Sequence, residues 1–141
     1  MMQPVLNIAR SGLDAESRAL EVAAANIAHM NDTIRPAEAS TAEHRQTAQP
    51  GSLAYRPVLA VRSTIPGGGV RSDVIERDPP QELSFSPGDP MADADGVVAR
   101  PVVNLENEFA NMIMSRRAFQ ANLNSVRTAD AMMGALLSAR I

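Results

Sequence analysis

Asp93-Ala94-Asp95-Gly96 sets two carboxylates one residue apart ahead of a glycine, as in the heart of an EF-hand calcium loop. In that register the first ligand position falls on Met91 and the twelfth on Val102, where carboxylates are required. The segment therefore reads as a turn that presents two exposed acids. Gly67-Gly68-Gly69 has the composition of a phosphate cradle, yet no Lys-Ser/Thr follows and the run opens into a strand-like segment rather than a helix. It reads as a hairpin turn. The two histidines, His29 and His44, are read as lacking a metal-ligand partner one helical turn away. Serine, histidine and aspartate all occur, but no nucleophile elbow arranges them into a triad. The chain contains no cysteine, which removes disulfides, thiolate metal sites and a thiol nucleophile. Every basic side chain is arginine, so Schiff-base chemistry is removed as well. The expectation is a protein that is not an enzyme and holds no cofactor or metal.

The more informative spacing is structural. Leu6, Leu13, Leu20 and Ile27 recur every seven residues near the start, and Leu105, Met112, Phe119, Val126 and Met133 near the end. Seven-residue spacing keeps one seam facing a partner helix. The first stretch predicts a helix over Pro4–Met30, with proline suited to an initial helical position and Ala9, Ala23 and Ala24 allowing close approach of a neighbour. The second predicts a helix from an N-cap at Asn104 to about Ala139, with Glu106 and Glu108 in its first turn and Arg140 at its far end. Such a helix is roughly 50 Å long, against roughly 37 Å across for a compact chain of this size. Its seam is longer than one chain can cover. Met112, Met114, Met132 and Met133 suit helix core or an adaptable packing surface. Arg116-Arg117 reads as a solvated face or a source of inter-subunit salt bridges. Asn26, Gln120 and Asn122 are amides on or beside the rungs, and amides in such seams fix register.

Between the helices, strands are expected within Tyr55–Thr64, Val70–Glu76, Leu83–Phe85 and Val97–Val103. The turns fall at Pro66-Gly67-Gly68-Gly69 and Ser86-Pro87-Gly88-Asp89-Pro90. These strands predict one small twisted sheet of hairpins. The fold class is α+β: long N- and C-terminal helices forming a coiled-coil-like pair, with a small β-hairpin-rich middle section. Residues 1–31 and 101–141 form a terminal helical core, 32–54 a loop, and 55–100 a small outer β-rich domain.

Composition narrows the function. At 141 residues the chain is one domain with long extensions, and much of its apolar content is alanine, so the core is expected to be thin. A formal charge of −3 with scattered arginines excludes a nucleic-acid partner. No run approaches the roughly 18 apolar residues of a membrane span. Asp14, Glu16 and Glu21 interrupt any signal-peptide core, so direct membrane insertion and a cleaved signal are not expected.

Several segments then resemble a known family. Arg117-Ala118-Phe119-Gln120-Ala121-Asn122 is similar to an Arg-x-Tyr-Gln-Ala-Asn signature, and Ala25-Asn26-Ile27-Ala28 to the N-terminal element of axial flagellar proteins. Val74-Ile75-Glu76 followed by Ser86-Pro87-Gly88-Asp89-Pro90 and Ala92-Asp93-Ala94-Asp95-Gly96 looks like the family's central block, and Tyr55-Arg56 like the opening of its β region. The family is that of the proximal rod proteins of the bacterial flagellar basal body, of the FlgC type. The resemblance implies a structural subunit of the rod, located in the basal body where it crosses the periplasmic space. It implies assembly with other copies and other rod proteins, and delivery by the flagellar type III export apparatus. Under it the assembly interface is Leu6, Leu13, Leu20, Asn26, Ile27, Leu105, Met112, Phe119, Gln120, Asn122, Val126 and Met133. The competing readings are another axial rod subunit, or a small ligand-binding module.

Overall fold

The computed structural model describes residues 2–36 and 55–139. Two helices flank four strands: α1 (Met2–Ala28), β1 (Val58–Thr64), β2 (Val70–Glu76), β3 (Gln81–Phe85), β4 (Val97–Pro101) and α2 (Leu105–Ser138). The α+β architecture is as expected. Most of the anticipated loop over 32–54, along with His44 and Arg140, lies outside the described residues.

α1 begins two residues before the expected start, so Pro4 sits within its first turn, where its missing N–H has no helical acceptor to lose. α2 is capped as its sequence predicts. The Asn104 side chain accepts a hydrogen bond from the Asn107 N–H at 2.8 Å, and the 34-residue helix runs without a proline to Ser138. The helices pair antiparallel. The Asn26 amide meets Glu108 at one point of the seam, and Gly12 lies against Asn122 at another. Fourteen residues separate the two contacts on each helix, so the pairing keeps step over about 21 Å.

β1 and β2 form an antiparallel hairpin from Val58↔Glu76 to Thr64↔Val70. Its turn closes through Ile65 N–H to the Gly69 carbonyl at 3.1 Å and Gly68 N–H to the Ile65 carbonyl at 3.0 Å. Gly67, Gly68 and Gly69 all take positive φ, near +97°, +96° and +108°, a run that side-chain-bearing residues would not sustain. β3 and β4 make a second hairpin, Gln81↔Pro101 to Phe85↔Val97, and Ile34 adds a single bridge to Ala99. The Asp93 carboxylate accepts the N–H groups of Asp95 and Val97, both at 2.9 Å, so it is spent on its own turn.

The single sheet expected from the sequence is instead two separate two-stranded sheets. The division falls at Pro79-Pro80, which offer no N–H to continue a ladder. On one side Arg77 N–H closes the first hairpin onto the Pro57 carbonyl at 2.9 Å. On the other, Val102 N–H closes the second onto the Pro80 carbonyl at 3.1 Å. The thin core is also as expected: among the described residues the buried apolar side chains are Ala9, Ala15, Ala19, Ala23, Ala129, Val98 and Ala99, with Pro57 and Pro101.

Candidate assembly interface

The closest approach of the two helices is made by small and polar residues. On α1 these are Ala9, Gly12, Glu16, Ala19, Ala23 and Asn26, spaced alternately three and four apart, and all are buried. On α2 they are Glu108, Ser115 and Ala129, buried and on a seven-residue repeat that also contains the partly covered Asn122. A Cβ built on Gly12 would stand 2.6 to 2.9 Å from three side-chain atoms of Asn122. Glycine at this position is what lets the Asn122 amide lie across the α1 backbone.

Burying polar groups in such a seam requires partners, and the first hairpin supplies them. Asn26, fully buried, uses its whole amide. Its Nδ2 donates to the Val58 carbonyl at 2.8 Å and to Glu108 Oε1 at 3.2 Å. Its Oδ1 accepts from the Tyr55 hydroxyl at 2.8 Å and from Val58 N–H at 3.1 Å. Glu108, 2 % exposed, also accepts from Arg77 Nη2 at 2.8 Å. Burial pushes the Tyr55 phenol above its ordinary 10.0; the nearby Glu108 charge adds to the rise and Arg77 works against it. The His29 ring stacks on Tyr55 with centroids 4.4 Å apart, and its Nδ1 lies 2.8 Å from Asp32 Oδ2. His29 therefore does have an acidic partner three residues on, contrary to the sequence reading. The pair is solvent-exposed, and among the described residues no group of three or more His, Asp or Glu is placed to hold a metal ion.

A second polar junction lies further along the seam. Arg62 Nη2 donates to Glu16 Oε2 on α1 at 2.6 Å and to Ser115 Oγ on α2 at 2.8 Å. The hairpin tip is fixed on α1 by Val70 N–H donating to Ser11 Oγ at 3.1 Å. Gly68 and Gly69 there pass so close to Ile8 and Ser11 that a Cβ would come within 3 Å of either.

The large rungs flank this seam instead of forming it. Leu6, Leu13, Leu20 and Ile27 on α1, and Leu105, Met112, Phe119, Val126 and Met133 on α2, are all only partly covered. Asn26 is buried, Asn122 rests on Gly12, and Gln120 is exposed. Further round α2, Phe109, Ile113, Met114, Met132, Leu136 and Leu137 expose half or more of their surface. A groove of about 420 Å³ without a charged side chain opens where Val5 meets Asn124, Ser125, Thr128, Ala129 and Met132. Among the described residues no helix is long and apolar enough to cross a membrane.

The sequence reading assigns no interface role to Gly12, Glu16, Arg62, Arg77 or Ser115, and treats Glu108 as a first-turn acid favoured by the helix dipole. The available signal was the three-four spacing of small residues on α1 and the Glu108, Ser115, Asn122, Ala129 repeat on α2.

Both helices of this seam fall in segments shared with known proteins. Residues 6–36 match the family described as "Flagella basal body rod protein", and residues 94–139 match "Flagellar basal body rod FlgEFG protein C-terminal". The flagellar basal-body rod protein FlgC of Escherichia coli O6:H1 is 34% identical over 134 residues, covering 92% of this chain and 90% of that protein. FlgC of Salmonella typhimurium is 33% identical with the same coverage, and FlgC of Bacillus subtilis 26% identical over 136 residues, covering 91% of each chain. With this identity sustained along nearly its whole length, the chain belongs to the FlgC family of flagellar basal-body rod proteins.

Proposed function

We propose that this protein is a structural subunit of the bacterial flagellar basal-body rod and that it performs no catalysis. The observation that carries the reading is the division of each helix into two stripes in a chain of the FlgC family. One stripe is closed within the chain by hydrogen bonds. The other, the large apolar rungs, is left partly uncovered. Partly covered leucine, phenylalanine and methionine rungs on helices longer than the domain they serve are what a subunit needs to bundle with neighbours. In this reading Leu6, Leu13, Leu20, Ile27, Leu105, Met112, Phe119, Val126 and Met133 meet other copies and other rod proteins, with Gln120 adding polar selectivity, while Asn26 and Asn122 serve the register of the chain's own helix pair. The helices form the inner layer of the proximal rod and the hairpins its outer face. Helices bundled near the axis resist torsion because each rung shares its load with several others.

The same reading places the protein in the periplasmic stretch of the rod, delivered by the flagellar type III export apparatus. A small core without disulfides is compatible with passage as an unfolded chain. A role as another axial subunit draws some support from the C-terminal segment, whose family description names other basal-body rod proteins, FlgEFG. Fractionation decides. Deleting the gene should abolish swimming, expression of the chain should restore it, and the protein should co-purify with isolated basal bodies at the proximal rod. Normal swimming after deletion would overturn the assignment, and recovery only in the distal rod would favour the other axial role.

A further inference from the structure

We infer that Arg62 and Arg77 are positioning residues that set the axial register of α1 against α2, making the first hairpin a register clasp for the helix pair. A seam of alanine, glycine and serine packs closely, but at most of its positions a slip of one heptad replaces one small residue by another, the fit of Asn122 on Gly12 being the exception. The direct side-chain bond between the helices, Asn26 Nδ2 to Glu108 Oε1, is long at 3.2 Å. The shorter polar links run through the hairpin. Arg62 bridges Glu16 and Ser115 from a single nitrogen, and Arg77 holds Glu108 at 2.8 Å.

The hairpin has its own fixed position on α1. It is anchored at Asn26, through both backbone groups of Val58, and at Ser11, through Val70 N–H. Those anchors are about 22 Å apart along the helix. From this base it reaches α2 at Glu108 and Ser115, one heptad apart. A slip of α2 in one direction sets Ser115 before Arg77 and leaves the Glu108 carboxylate without its arginine. A slip in the other brings Glu108 to Arg62 but leaves Arg77 and Asn26 facing the chain before α2. Either breaks a charge-assisted bond in a partly dry site. Between the two bridges a cavity of about 60 Å³ separates β1 from the seam, lined by Ala19, Ala23, Val58 and Ala60 among others. Tight packing at that point does not fix the register; the arginines on either side do. Under the proposed function the register also fixes the relative heights of the rungs on the two helices, and hence the pattern a neighbouring subunit meets.

The absence of cysteine gives a direct test on the purified chain. Val5→Cys with Ala129→Cys reports the observed register, since both residues line the same groove. Val5→Cys with Asn122→Cys, or with Leu136→Cys, reports a slip of one heptad in either direction, roughly 10 Å away and beyond disulfide reach in the observed register. In the parent the Ala129 pair should oxidise and the other two should not. Adding Arg62→Leu and Arg77→Leu should raise the ratio of slipped to in-register disulfide by about tenfold or more. Because unpaired Glu108 could simply unfold that variant, Arg77→Leu with Glu108→Leu forms a second set in which no charge is stranded. A raised ratio in either set, with the far-UV helix signal at the parental level, supports the clasp. A ratio unchanged in both sets, or a general loss of all three disulfides, overturns it. Swimming and basal-body recovery are separate readouts, so failure here leaves the rod assignment standing.

Discussion

Two stripes run along α2 with the same seven-residue repeat and opposite fates. Glu108, Ser115, Asn122 and Ala129 face α1 and the first hairpin, and the polar members that are buried have short hydrogen bonds. Leu105, Met112, Phe119, Val126 and Met133, three residues away in each repeat, stay partly open. The usual division of a helix puts large apolar residues inside and small or polar ones outside. Here the order is reversed at the closest contact. Small residues let two backbones approach, hydrogen bonds make the approach specific, and the large side chains are displaced to the flanks. The difference teaches that burial within one chain is a poor guide to which residues the helices exist to present.

The strongest way to break this comparison is to put a charge on the open stripe. Leu20→Asp or Phe119→Asp should abolish swimming, scored on soft agar, with the protein still expressed. The isolated chain should lose only about 1 kcal/mol in denaturant unfolding, because each side chain is partly exposed already. Wild-type swimming in either variant would mean that the rungs are not the contact surface. A loss of several kcal/mol would mean that they belong to the monomer's own core.

The closed stripe should respond in the opposite sense. Glu108→Ala strands Arg77 and one of the two Asn26 Nδ2 N–H groups in a site where the carboxylate is 2 % exposed. The expected loss is about 3 kcal/mol of chain stability, at the low end for a broken buried pair because the arginine can partly rehydrate. Chemical denaturation measures it directly. A loss below about 1 kcal/mol would place Glu108 among ordinary surface acids.

Much of the architecture was legible in the sequence, because its signals are local. The heptad rungs, the Asn104 cap and the proline-glycine turns each act within a few residues, and helices, hairpins and the Asp93 turn stand where those signals put them. The closed stripe was not legible for two physical reasons. A search for large apolar residues finds the flanks of a close-packed seam and misses its centre, which is alanine, glycine and serine. Glu16 and Glu108 look like solvated helix acids until their arginines arrive from positions 46 and 31 residues away along the chain, a proximity that exists only in the folded molecule. The split of the sheet at Pro79-Pro80 was readable in principle, since two successive residues without N–H groups end any ladder.

Glycines on the two helices sharpen the contrast at smaller scale. Gly12→Val drives a branched side chain into Asn122 and should destabilise the chain by about 1–3 kcal/mol. Gly134, near the open end of α2, has nothing within 4 Å of an added Cβ. Gly134→Ala should therefore stabilise by about 0.4–1 kcal/mol through the unfolded chain's lost freedom. Thermal unfolding of the two variants compares a glycine in the closed stripe with one that has open space around it. Equal shifts would show that closeness at Gly12 is not what the seam depends on.

The smallest effect is silent at neutral pH and tests whether the closed stripe is sealed from water. Tyr55 is the only tyrosine and there is no tryptophan, so tyrosinate absorbance reports this one phenol. Its hydroxyl donates to Asn26 Oδ1, and burial raises its pKa above 10.0 with help from Glu108. In the unfolded chain the phenol ionises at its ordinary value. As pH rises past 10 the unfolded state loses its proton first, so the stability associated with Tyr55 is complete below that pH and is lost as pH climbs through the folded-state value. Native titration should run above the midpoint seen in denaturant, and Tyr55→Phe should remove this phenol's contribution to the alkaline decline. If the native and denatured midpoints coincide, water reaches the Asn26 junction. The Tyr55 hydroxyl then adds nothing to the closure of the stripe, which rests on the bonds of Asn26 to Val58 and of the two arginines to Glu16, Ser115 and Glu108.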